Sequence, residues 1–112
     1  MPDVHMVWDG LSFWLELKIA KSNAVKLSSH QIAWNTAYWA RGGANFILVK
    51  HAPSREILLF RGLDSGTVAQ EGVSCAPAAR VLSPAALFEA LRPCVLDRYG
   101  EALRPCGPAA LP

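Results

Sequence analysis

Two carboxylic acids, Asp3 and Glu16, and the amine of Lys18 lie near the start of this 112-residue chain at a spacing that two adjacent strands could bring together. Two carboxylates brought close together repel each other unless a cation neutralises them, and Mg²⁺ is commonly held by one or two carboxylates together with water. A lysine two residues beyond the second carboxylate points to the same side of a β-strand. The alternative is a solvated strand end, where an Asp and a Glu near a Lys have no chemical role.

The Asp9-Gly10 pair places the two carboxylates opposite each other. It separates two alternating apolar runs, and Asp-Gly in this position is typical of a two-residue hairpin with a type I′ turn. In that register Asp3 lies opposite Glu16, with about 4.5–5.5 Å between opposed Cβ atoms. The other face of the hairpin is wholly apolar and is predicted to be core: Val4, Met6, Trp8, Leu11, Phe13, Leu15 and Leu17.

Length and composition predict one cytoplasmic domain. A chain of 112 residues can bury one modest core, and 52% hydrophobic against 18% charged residues favours an interface between subunits. We expect no membrane partner, because no run approaches the roughly 18 apolar residues of a membrane span and the amino terminus is acidic, unlike a signal peptide. Neither a zinc site nor a disulfide framework is expected from the three cysteines, which share no C-x-x-C spacing: Cys75, Cys94 and Cys106.

The charge is unevenly distributed along the chain. Seven basic and four acidic residues give residues 1–61 a net charge of +3, whereas the remainder carries −1. A phosphate-bearing partner and a solvated basic face both agree with this distribution.

A capped helix and a buried strand follow the hairpin. Ser28 and Gln31 stand at the N-cap and N3 positions of a capping box, and Gly42-Gly43 supplies the stop. Residues 45–50 are then nearly all apolar, as in a strand covered on both sides. Strand, helix and strand in this order predict a right-handed crossover that sets residues 45–50 parallel to residues 11–18. Apolar residues of the helix predict that most of its circumference is buried: Ile32, Trp34, Ala37, Tyr38 and Ala40.

Weaker signals continue the sheet beyond the crossover. Residues 56–60 predict an antiparallel neighbour, so the sheet is mixed and has at least four strands. Residues 66–69 or 72–73 predict a short edge strand.

The last part of the chain is predicted to contain one helix and a tail. Ser83 at the N-cap and Pro84 at the first helical position begin a helix that Pro93 ends or kinks. We therefore assign residues 1–92 to a single domain and residues 93–112 to a partly disordered C-terminal extension.

The order of these motifs resembles the PD-(D/E)XK nuclease superfamily, and within it the small VRR-NUC-type and Holliday-junction-resolvase-like members. The matching segments cover about residues 2–50: Pro2-Asp3, Glu16-Leu17-Lys18, residues 27–31, Gly42-Gly43 and the strand that follows. The resemblance implies an α/β fold with a mixed β-sheet, an N-terminal hairpin, a β-α-β crossover and flanking helices, which is a restriction-endonuclease-like core. Family members usually have a helix before the Pro-Asp motif, and that first helix is missing here.

By this resemblance the chain is a DNA endonuclease that uses Mg²⁺ or Mn²⁺, with branched or structured DNA as a substrate. Asp3, Glu16 and the backbone carbonyl of Leu17 would hold the metal. Lys18 would orient or activate the attacking water, and Gln31 would lie near the metal or the DNA backbone. Hydrolysis in the family leaves a 5′-phosphate and a 3′-hydroxyl.

Several assignments keep an alternative. Lys21, Lys26 and His30 are expected phosphate contacts, or else solvated loop positions, and the capping box alone would explain Gln31. A homodimer is expected from the aromatic residues of the helix and the apolar composition. The alternative function is a catalytically inactive DNA-binding or assembly module on the same fold.

Overall fold

The computed structural model describes residues 3–103, which form a five-stranded sheet with helices on both faces. Residues 1–2 and residues 104–112, the distal part of the predicted extension, lie outside the described residues. The strands are β1 (Val4–Trp8), β2 (Leu11–Ala20), β3 (Asn45–His51), β4 (Glu56–Arg61) and β5 (Ala79–Val81). The α-helices are α1 (Ser29–Ala40), α2 (Ser65–Glu71) and α3 (Pro84–Leu103), and single 3₁₀ turns span Gly62–Asp64 and Gly72–Ser74.

The sheet has the order β1-β2-β3-β4-β5, and β2 and β3 are its parallel pair. The other three pairs are antiparallel. The predicted mixed α/β sheet with an N-terminal hairpin and a β-α-β crossover is confirmed. This arrangement places the residues before β1, the second half of β2 and the start of α1 next to one another, which are the segments that carry Asp3, Glu16, Lys18 and Gln31.

The hairpin has the predicted turn and register. Asp9 and Gly10 both have positive φ, 51° and 77°, as a type I′ turn requires. Val4 pairs with Leu15, so Asp3, which directly precedes Val4, lies beside Glu16.

Two hydrophobic clusters lie on opposite faces of the sheet. Helix α3 covers the first, where Leu91 and Val95 meet Phe13 and Leu15. The second contains Val68 of α2 and the residues Ala20, Val25, Ile47, Val49, Leu58, Phe60 and Cys75. Burial on both faces explains why β3 and β4 are almost continuously apolar.

Helix α3 also completes one edge of β2. The Tyr99 hydroxyl donates to the backbone carbonyl of Ser12 and accepts the Ser12 N–H at 3.0 Å. It satisfies the end of β2 that β3 does not reach, because the β2–β3 pairing begins only at Trp14.

The structure corrects four expectations about these elements. Residues 66–69 are helical rather than extended, because the α2 turn buries Ser65 and Val68, and residues 72–73 lie in a 3₁₀ turn, so the edge strand is β5 instead. Leu17 is 44% exposed, since α3 does not extend over that end of the sheet. Of the two alternatives for Pro93, an end of the helix is excluded, because α3 continues to Leu103 and Val95 beyond Pro93 packs into the core. Helix α1 fully buries Asn35 and Trp39, whereas Trp34 and Tyr38 are half-buried.

None of the helices in residues 3–103 is both long enough and apolar enough to cross a lipid bilayer.

Candidate functional site

Asp3 and Glu16 form an acidic pair at the open end of the hairpin. The Leu17 N–H donates to Asp3 Oδ2 at 2.9 Å, which fixes the Asp3 carboxylate against β2. Glu16 is only 1% exposed and shares a hydrogen bond with Asp3. Its second oxygen, Oε1, is buried without a hydrogen-bond partner among the described residues. Asp3 is exposed, so the pair opens to solvent on the Asp3 side.

The two carboxyl groups have opposite pKa shifts. Burial raises the pKa of Glu16 from 4.5 to about 7, and the hydrogen bond and negative charge of Asp3 add to this effect. The pKa of Asp3 is lowered, first by the Leu17 N–H and then by the hydrogen bond with Glu16. Below about pH 7 the pair therefore shares a proton, with Asp3 as the more acidic member.

The acidic pair has the donor chemistry of a site for a hard divalent cation. A buried carboxylate oxygen without a partner is costly, and a cation bound between the carboxylates would replace the shared proton and satisfy that oxygen. In an extended strand the N–H and C=O of a residue point to the same side. The Leu17 carbonyl therefore faces the edge occupied by Asp3. Within residues 3–103 no group of three or more His, Cys, Asp or Glu side chains gathers here, so water or substrate oxygens would complete the coordination.

Lys18 and Gln31 meet beside the acidic pair. Lys18 Nζ donates to Gln31 Oε1 at 3.1 Å, and the same oxygen accepts the backbone N–H of Ser28 at 2.9 Å. The Gln31 N–H in turn donates to Ser28 Oγ at 3.1 Å, which completes the predicted capping box. Gln31 therefore caps α1 and holds Lys18 at the same time, and the capping role does not exclude the contact with the site.

Two buried asparagines lock this helix onto the sheet. Asn45 of β3 donates to Asn35 Oδ1 at 2.8 Å and to the Asn35 carbonyl at 3.0 Å. Asn35 donates to the Gln31 carbonyl at 2.8 Å. This chain fixes the helix that carries Gln31, and the apolar pattern gave no signal for it.

Three lysines share one cleft next to the acidic pair. The cleft has a volume of about 350 Å³ and is lined by Lys18, Ile19, Lys21, Ser22, Ala24 and Lys26. The loop that carries Lys21 and Lys26 is held by Asn23, whose carbonyl accepts the Val73 N–H at 2.8 Å. Gly72 permits this approach, because its φ is +69° and a Cβ there would lie 2.0 Å from the Asn23 carbonyl oxygen.

His30 is the predicted phosphate contact that the lysine cleft does not include. Its side chain is exposed on the first turn of α1. Lys21 and Lys26 are thus brought together with Lys18, whereas His30 is not among the residues that line the cleft.

Four rings, His5, Trp14, Trp34 and Tyr38, form a continuous aromatic row beside the acidic pair. The ring centroids of His5 and Trp14 are 4.6 Å apart, and those of Trp14 and Trp34 are 6.2 Å apart in an edge-to-face contact. Trp34 and Tyr38 stack at 4.6 Å with 11° between their planes. The signals for this row are the hairpin register, which pairs His5 with Trp14, and the four-residue spacing of Trp34 and Tyr38.

Comparison with known proteins gives no relative: no family model, no curated protein and no solved structure matches this chain. The fold and the site together define an α/β protein with an acidic pair, a lysine and a helix-capping glutamine beside the second half of strand β2.

Proposed function

We propose that this chain is a metal-dependent DNA endonuclease of the PD-(D/E)XK type, with Mg²⁺ or Mn²⁺ as its cofactor. The observation that carries the proposal is the acidic pair: Glu16 is buried with one unpartnered oxygen and lies in hydrogen-bond contact with the exposed carboxylate of Asp3. A structural carboxylate would be expected to have partners for both oxygens.

The residues around the acidic pair support a phosphodiester substrate. Asp3, Glu16 and the Leu17 carbonyl would hold the metal, which would lower the pKa of water and neutralise charge on a phosphate. Lys18, held by Gln31 at 3.1 Å, would orient the attacking water. Lys21 and Lys26 line the same cleft as Lys18 and would bind neighbouring phosphates.

Cleavage assays with two substitutions test the proposal. Supercoiled, branched and single-stranded DNA are incubated with the protein and either metal, beside Glu16→Gln and Lys18→Met. We expect wild-type cleavage and a rate lower by roughly 100- to 1,000-fold in each variant, since each loses a charge needed at the phosphate. Glu89→Gln is the matched control, because Glu89 is an exposed carboxylate on α3, which packs on the opposite face of the sheet, and it should cleave like wild type.

Two outcomes would overturn the proposal: wild-type protein that leaves every substrate intact with both metals, or Glu16→Gln that cleaves as fast as Glu89→Gln. The first outcome, combined with DNA binding that EDTA does not change, would instead favour the inactive binding module. One observation keeps that second candidate open, namely that residues 3–103 supply only two carboxylates at the site.

A further inference from the structure

The aromatic row and the acidic pair occupy neighbouring positions on the same face of the hairpin. Trp14 precedes Glu16 by two residues on β2, and Asp3 precedes His5 by two residues beside it. Residues two apart on a strand share a face and lie about 6.6 Å from each other. A chain molecule lying along this face would therefore contact the row and the acidic pair together.

Helix α1 extends both features in the same order. Gln31 contacts Lys18, and Trp34, one turn later, contacts Trp14. Tyr38 follows a further turn along and stacks on Trp34. The polar residues Asp3, Glu16, Lys18 and Gln31 therefore lie side by side with the aromatic row, and both sets extend across the hairpin to α1.

The rings of the row are not core residues. His5 is exposed, while Trp14, Trp34 and Tyr38 are half-buried, and none of the four belongs to either hydrophobic cluster found in the described part of the chain. Helix α1 buries Trp39 instead. Large aromatic rings left partly exposed beside a polar site present apolar surface that a partner with flat rings can cover.

The charges next to the row point to a nucleic acid as that partner. Along β2 an aromatic residue, an acid and a lysine alternate on one face as Trp14, Glu16 and Lys18, and Lys18 opens into the cleft shared with Lys21 and Lys26. Single-stranded nucleic acids bind in this way, with phosphates on basic groups and bases stacked on aromatic rings. A duplex does not offer the faces of its bases, because they are stacked on each other.

We infer that the aromatic row stacks unpaired bases of a DNA strand whose phosphates follow the lysine cleft, so that the substrate is single-stranded DNA or the single-stranded branch of a duplex. The inference rests on the proposed function for the position of the scissile phosphate, next to the acidic pair.

Binding measured on wild-type protein without metal tests the inference directly. Fluorescence anisotropy compares a labelled single strand, an abasic strand of the same length, a blunt duplex, and that duplex with a single-stranded overhang, all in EDTA. We expect the single strand and the overhang to bind roughly 5- to 100-fold more tightly than the abasic strand and the blunt duplex. Equal binding of the normal and abasic strands would overturn the inference, since phosphates alone would then account for the affinity.

Variants locate the stacking surface. Trp34→Ala should lose most of the preference for the normal over the abasic strand, and Trp34→Phe should keep most of it. Phe88→Ala is the matched control, because Phe88 is another exposed ring, 48% accessible, on helix α3. A Trp34→Ala protein that is folded by circular dichroism and retains the full preference would contradict the assignment. If it does not fold, the abasic comparison on wild type still decides.

A second copy of the chain is the competing occupant of the row. Sedimentation of wild type and Trp34→Ala distinguishes a dimer from a DNA-binding surface. A wild-type dimer that Trp34→Ala dissociates and that single-stranded DNA does not disrupt would overturn the inference.

Different results would remove the inference and the proposed function. Glu16→Gln should bind the single strand as tightly as wild type in EDTA while losing cleavage. A wild-type protein that cleaves DNA but binds the normal and abasic strands equally would remove the inference and leave the proposed function in place.

Discussion

Glu16 and Arg98 are both buried ionisable side chains, 1% and 8% exposed, but they differ in how fully hydrogen bonds compensate their burial. Arg98 donates from Nε to the Gly43 carbonyl at 2.7 Å and from a terminal nitrogen to the Trp39 carbonyl. Its guanidinium carbon lies 3.9 Å from the centroid of the Trp39 ring. Glu16 retains an unpartnered oxygen and a pKa raised to about 7.

The difference separates a structural charge from a candidate functional one. Trp39 contributes one of the last carbonyls of α1, which also accepts the Gly42 N–H at 3.0 Å, and a cation is favourable at this end because of the helix dipole. Arg98 therefore joins α3 to the end of α1 and stabilises the fold. Glu16 is held near Lys18 with part of its desolvation uncompensated, which is a cost to stability that a bound cation would relieve.

The largest expected effect on stability is at Arg98. Arg98→Met keeps an apolar side chain near Trp39 but removes charged donors from two carbonyls, so we expect the free energy of unfolding to fall by about 4 kcal/mol. Urea denaturation followed by tryptophan fluorescence measures it. Arg92→Met is the control on the same helix, because the Arg92–Asp9 ion pair is 3.4 Å long and both side chains are more than half exposed. It should cost less than about 1 kcal/mol, and equal losses would remove the distinction between the two arginines.

The next effect is a pH dependence that belongs to Glu16. Between its ordinary pKa of 4.5 and its folded pKa of about 7, the folded chain holds a proton that the unfolded chain has released. The free energy of unfolding should therefore fall as pH rises through this window, by about 3 kcal/mol, and then level off. The lowered pKa of Asp3 acts in the opposite sense, but only below about its ordinary value of 3.8.

Urea denaturation of wild type and Glu16→Gln across pH 4.5–8 isolates this contribution. As pH rises, the free energy of unfolding of wild type should fall relative to that of Glu16→Gln, so that any advantage of wild type shrinks or reverses. Saturating Mg²⁺ at pH 8 should stabilise wild type and leave Glu16→Gln unchanged, because the metal needs the ionised carboxylate. If the difference in the free energy of unfolding between the two proteins does not change with pH, the cost of burying the Glu16 carboxylate is compensated as fully as that of Arg98.

Local signals in the sequence were sufficient where a few adjacent residues determine the backbone. Asp9-Gly10 predicted the turn and, through it, the position of Asp3 beside Glu16. Ser28 and Gln31 predicted the start of α1. These features depend on positive φ and on a cap hydrogen bond, both of which are properties of short segments.

The remaining features depend on contacts that are distant in sequence. Residues 66–69 have weak helix propensity, yet packing of Val68 makes them helical. Pro93 lies within α3 because Leu91 and Val95 on either side of it are core residues. Leu17 is exposed because α3 stops covering the sheet before reaching it, and the strand pattern carries no information about how far a helix extends.

The smallest predicted effect separates the two roles of Gln31. Ser28→Ala and Gln31→Ala each remove part of the capping box, so each should lower the free energy of unfolding by about 1 kcal/mol. Only Gln31→Ala also removes the acceptor for Lys18. It should reduce cleavage clearly below the Ser28→Ala level under conditions where both variants are folded. Equal cleavage by the two variants would leave Gln31 with its capping role alone, a structural residue like Arg98.

The hydrogen bonds between Tyr99 and Ser12 have a consequence for the order of events during synthesis. They join residues 87 positions apart, so the hairpin leaves the ribosome well before the side chain that completes its edge. Until helix α3 has docked, the Ser12 end of β2 presents a free donor and acceptor to any neighbouring strand. A nascent chain stalled before Tyr99 would therefore be prone to pair with another copy through this edge, and chaperone capture of such chains should decline once α3 has emerged.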